Sequence, residues 1–166
     1  MTQSIADQYR RWFDYEKDSH AKVFTSLEAV NDQLRSSPLF QKALDLMAHL
    51  AAARRMWLFR FGVTSEKVEL FPSNVSLAEL RANFAEMEAA WSGYLGTLND
   101  TEIRRVFEYQ SYEGLHFSNT IADILTQLFG HSWYHRGQIA QLLRIIGAEP
   151  PVTDFVFWAR ERVGQK

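Results

Sequence analysis

The sequence predicts an all-α protein built as a four-helix bundle, and three observations predict it. Apolar residues recur at three- and four-residue spacings over long segments, capping residues stand at the heads of those segments, and glycine closes two of them. With 166 residues, the chain fits one domain over 1–166, large enough to bury about 70% of its unfolded surface.

In the first element, Ser4 followed by Asp7 has the spacing of a capping box. Ile5, Tyr9, Trp12, Phe13, Val23, Phe24, Leu27, Val30 and Leu34 then mark a helix running to about Arg35. Ser37 and Pro38 open the second, since proline costs nothing in a first helical turn. Its stripe is Leu39, Ala43, Leu46, Leu50, Ala53 and Trp57, ended by Gly62. Residues 63–75, with Pro72, Ser73 and Asn74, read as a polar connector. Ser76 and Glu79 form a clearer capping box for a third helix carrying Leu80, Phe84, Met87, Trp91, Leu95 and Leu98.

Between 102 and 118 the helical period lapses. Ile103, Val106, Phe107, Tyr109, Tyr112 and Phe117 flank a turn at 111–114, which predicts a short β-hairpin. Asn119 or Thr120 then caps a long fourth helix with Ile121, Ile124, Leu125, Leu128, Ile139, Leu142, Leu143 and Ile146 on one stripe and Gly147 at its close. After Pro150 and Pro151, Thr153 or Asp154 heads a short aromatic helix. Alternating directions, up-down-up-down, would bury the four stripes most simply.

Eighteen Lys and Arg against twenty Asp and Glu give a net charge of −2, without the basic excess that nucleic-acid binders use against phosphates. The apolar 39–61 region is broken by Lys42, Asp45, Arg54 and Arg55, so no bilayer span is expected. The N-terminal residues lack the basic-then-apolar pattern of a secretory signal, and cysteine is absent. Together these predict a cytoplasmic protein that contacts neither nucleic acid nor membrane, and any metal ligands must be nitrogen or oxygen.

The fourth stripe is interrupted between Leu128 and Ile139, where His131 and His135 fall on the same face. Four residues advance a helix by about 400°, which stacks the two imidazoles ~6 Å apart along the axis, within reach of one ion. Ser132 stands where an HExxH protease motif would carry its glutamate, which disfavours peptide hydrolysis. His49 lies among Leu46, Leu50, Ala53 and Trp57 on the second stripe, where a polar group needs a partner. If those helices are neighbours, three nitrogens meet and leave a position open; otherwise the three are ordinary core histidines.

The run Leu128-Phe129-Gly130-His131-Ser132-Trp133-Tyr134-His135-Arg136-Gly137-Gln138-Ile139 resembles the signature helix of the DinB-like family, also described as YfiT-like metal-dependent hydrolases. The similarity extends through Gly147, Pro150, Pro151 and the Asp154-Phe155-Val156-Phe157-Trp158-Ala159-Arg160 segment, and back to His49 ahead of Trp57. It implies that His49, His131 and His135 bind a divalent metal ion. The chain departs from many relatives in having Gly130 before the first histidine and Ala53 one turn after His49. Relatives include S-transferases using low-molecular-weight thiols. The resemblance therefore implies a metal-dependent enzyme that transfers such a thiol to a small electrophile. The alternatives are a hydrolase using metal-bound hydroxide and a non-catalytic metal- or ligand-binding stress-response protein. Zinc and nickel suit imidazole best, with manganese and iron as alternatives, and the aromatic terminal segment suits a homodimer.

The remaining residues have plainer expectations. Gly130 and Gly137 cost helix stability and suggest close approach of another helix. Arg136, beside His135, should point to the surface or a subunit interface. Gln138 and Tyr134 are placed in helix packing and solvent contact, and Trp91, Tyr109 and Tyr112 in core packing. Asp14, Glu16 and Asp18 read as a solvated face, His20 as structural, and His116 has no role. No Gly-rich phosphate loop, serine nucleophile elbow or CxxC motif is present.

Overall fold

A computed structural model describes residues 4–161. Four long helices dominate: α1 (Ile5–Glu28), α3 (Pro38–Arg60), α4 (Leu77–Thr97) and α6 (Ile121–Ile145). Short helices α2 (Asp32–Arg35), α5 (Asp100–Arg104) and α7 (Phe155–Ala159) accompany an antiparallel hairpin, β1 (Val106–Gln110) with β2 (His116–Thr120). No described helix is long and apolar enough to cross a membrane.

Local chemistry sets the boundaries. Ser4, Ser37, Ser76 and Thr120 each accept a backbone N–H at the head of a long helix, and Ser76 with Glu79 and Thr120 with Asp123 complete reciprocal capping boxes. Gly62 and Gly147 take positive φ where α3 and α6 close, the conformation in which a side chain is strained. The expected first helix to Arg35 breaks at Glu28. There Arg35 folds back and donates to the carbonyls of Glu28 and Val30, satisfying acceptors that a continued helix would have bonded, while Val30 turns into the core. The sequence reading passed over α5, which Asn99 caps and Ile103 anchors. The hairpin stands where expected, with Gly114 at positive φ in its turn.

One apolar cluster joins α1, α3, α4 and α6, with Phe13, Met47, Trp91, Leu125 and Ile139 among its buried members. Helix directions differ from the alternating expectation. Tyr9 meets Ala122 and Thr126 while Tyr15 meets Arg136, so α1 and α6 run parallel. Arg10 meets Leu95 while Arg81 meets Glu28, so α1 and α4 run antiparallel. Arg55 meets Asn83 while Phe61 meets Tyr94, so α3 runs with α4. The order is up-down-down-up. Connector 63–75 makes it possible: thirteen residues extend up to about 45 Å, enough to return along a helix of ~30 Å. That return path carries Leu70 and Phe71 across α3 at the level of His49.

Candidate metal centre

His49 comes from the middle of α3, and His131 and His135 from successive turns of α6, its neighbour in the bundle. The structure brings all three together. His131 Nε2 lies 3.1 Å from His49 Nε2 and 3.0 Å from His135 Nε2. The three form the group of potential ligands found among the described residues, with no carboxylate within it. Each histidine is half-buried, at the edge of the interior stripe rather than within it.

Bonds made by the opposite edges of two rings fix which nitrogen faces the centre. His49 Nδ1 donates to the Leu70 carbonyl at 2.7 Å, and His135 Nδ1 donates to Gln138 Oε1 at 2.7 Å. Both rings therefore carry their proton on Nδ1 and present a bare Nε2 lone pair inward. Burial pushes the His131 pKa down to about 4, with His135, His49 and Arg54 adding repulsion, and burial also lowers that of His135. Neutral imidazoles crowding their acceptor atoms together lack a proton for every contact, whereas a cation satisfies all three. Ligand bonds of about 2.0–2.1 Å at tetrahedral angles place nitrogens roughly 3.3–3.4 Å apart, close to the two separations from His131, and all three ligand atoms lie within 4.8 Å of one another.

Two aromatic rings frame the group. Phe71 stacks on His49 with ring centroids 4.8 Å apart and planes 7° apart, yet is 71% exposed. Tyr134 meets the His135 ring edge-on at 5.0 Å and is 64% exposed. Gln138 and Tyr134, assigned to packing and solvent by sequence, thus contact a candidate ligand directly. Gly130 and Gly137 also depart from expectation: a Cβ at either would meet no atom within 4 Å, so close helix approach does not explain them. Trp91 is core as expected, Tyr109 stacks on the hairpin side, and His116 lies exposed on β2.

A second polar group lies wholly inside. Arg136 is 3% exposed, not at the surface, and Glu16 is fully buried rather than solvated. Glu16 bonds Arg54, lies 3.7 Å from Arg136, and Arg136 donates to the Tyr15 hydroxyl. His20 is buried beside it and bonds Glu88 at 2.8 Å. Spacing carried the signal that sequence reasoning missed. Glu16 and His20 continue the stripe Tyr9, Phe13, Val23 and Leu27; Arg54 continues Ala43, Met47 and Leu50; Ser132 and Arg136 continue Leu125, Phe129, Ile139 and Leu143.

The family model described as the DinB family matches residues 1–164. The crystal structure of a DinB-like protein from Bacillus cereus ATCC 10987 superposes with a TM-score of 0.67 at 20% identity, covering 92% of this chain and 99% of that one. No curated protein matches.

Proposed function

The chain belongs to the DinB family, and from that premise we propose that it binds one divalent metal ion through His49, His131 and His135 and transfers a low-molecular-weight thiol to a small electrophile. The convergence of three Nε2 atoms at a half-exposed position carries this reading. A bound ion with three neutral ligands would keep its full positive charge and supply Lewis acidity at an open position. Leu70 and Gln138 hold the rings of His49 and His135, and Phe71 and Tyr134 flank those rings at the rim. The ligand group has no carboxylate to serve as a base. A bound ion would lower the pKa of either nucleophile, and a thiol starts from near 8.5 where water starts from about 15.7, so the thiol is ionised the more readily. The chain has no cysteine, so the sulfur arrives with a cosubstrate.

The metal is zinc or nickel by imidazole preference. The proposal further takes 1–166 as one domain acting in the cytoplasm as a homodimer, for which the exposed Trp133, Val156 and Phe157 offer apolar surface.

The test is a metal-reconstituted screen of electrophiles with several bacterial thiols, beside reactions lacking thiol and a His135→Ala control. Thiol-dependent turnover lost in the variant is the expected result. Turnover without thiol overturns transfer in favour of hydrolysis, and a metal-loaded protein inactive across the panel reduces the function to binding.

A further inference from the structure

A cleft of about 430 Å³ runs along the α3–α6 seam beside the histidine group, lined by Lys42, Leu46, Tyr134, Gly137, Gln138, Gln141 and Leu142. Its volume lies within the range of small-ligand sites. Tyr134 and Gln138, which touch His135, form its near end. Lys42 is seven residues before His49, and Leu142 seven after His135. Because α3 and α6 run antiparallel, both steps lead away from the histidines in the same direction by about 10 Å, two helical turns.

Apolar side chains line its walls, and its far end is cationic. Leu46 and Leu142 are partly buried, and Lys42 forms no ion pair among the described residues. Gly137 gives an independent indication. Inside a helix glycine is inferior to alanine, and here no neighbouring atom requires it, since a Cβ would project into open space. Gly137 lines the cleft, and any side chain there would narrow it.

We infer that this cleft is the substrate-binding groove of the metal centre and that it takes an amphipathic carboxylate. The apolar chain lies over Gly137 between Leu46 and Leu142, the carboxylate pairs with Lys42, and the opposite end reaches the histidines. The inference rests on the proposed metal site for its catalytic meaning, but the groove's selectivity is measurable without turnover.

Octanoate and octanol serve as probes of matched length. Their binding is followed by calorimetry and by chemical-shift changes, in metal-loaded protein and in His135→Ala. Octanoate binds at least tenfold more tightly than octanol, Lys42→Ala removes that preference, and Gly137→Leu abolishes binding while thermal midpoint and metal content hold. Gly137→Ala raises the midpoint and weakens octanoate binding, separating groove occupancy from folding. Equal affinity for the two probes, no octanoate binding, or full affinity in both Lys42→Ala and Gly137→Leu overturns the groove. Octanoate selectivity in wild-type protein that takes up no metal overturns the metal site and leaves the groove standing, whereas selectivity kept in His135→Ala beside a metal-loaded wild type supports both.

Discussion

The two polar groups of this bundle sit back to back on α3 and α6 and are built on opposite plans. In the Glu16, Arg54 and Arg136 group, one buried carboxylate lies between two buried guanidiniums, bonding Arg54 and pairing with Arg136 at 3.7 Å, so opposite charges from three helices meet in the interior. In the histidine group Leu70 and Gln138 accept from the outward nitrogens of His49 and His135, while the three inward Nε2 atoms crowd together with too few protons for every contact. The first joins opposite charges carried by α1, α3 and α6 and therefore ties those helices together. The second is complementary to something positive, and so is built to receive a ligand.

The comparison breaks most readily at Glu16. Glu16→Leu leaves two buried guanidiniums without their carboxylate and should cost about 3–5 kcal/mol of stability, read from urea unfolding of the metal-free protein. A cost below 1 kcal/mol would show that the interior charges are solvated or redundant. His131→Ala should do the reverse. Metal per folded chain should fall to background, while metal-free stability changes by about 1 kcal/mol or less, as measured by metal analysis alongside the same unfolding experiment.

Gln138→Leu sharpens the contrast, because it leaves the three ligands in place and removes only the acceptor that orients His135. Metal affinity should drop about 10- to 100-fold in a chelator competition, with little change in folding. Unaltered affinity would mean that the ring is held by packing alone.

Acid offers the mildest probe. Burial lowers the pKa of His20, and burial with neighbouring charge lowers that of His131 to about 4, both from an ordinary value near 6.5. The unfolded chain therefore takes up protons that the folded one refuses. Stability of the metal-free protein should be level above pH 6.5 and decline as pH falls from there through about 4. A decline on the alkaline side instead would contradict neutral, buried imidazoles.

Much of this architecture was legible as sequence because its signals are local. The Ser37-Pro38 and Ser76 to Glu79 patterns state where helices begin, and the four-residue step from His131 to His135 states a shared face. Glu16 and Arg136 were not legible in this way, because each lies on an apolar stripe as a charged residue whose partner is on a different helix. Helix direction was hidden for a related reason. Nothing local to 63–75 distinguishes a tight reversal from a run along the bundle, and the answer resides in what Leu70 and Phe71 touch.

That run along the bundle joins two properties that most folds keep apart. A connecting segment, the class of chain that generally tolerates insertion and deletion, here also supplies the mouth of the histidine site, through the Leu70 carbonyl and the Phe71 ring. Changes in its length can reshape the opening while the four helices and their interior charges stay as they are. The connector thus acts on the opening of the site, while the residues that line the neighbouring groove stay on α3 and α6.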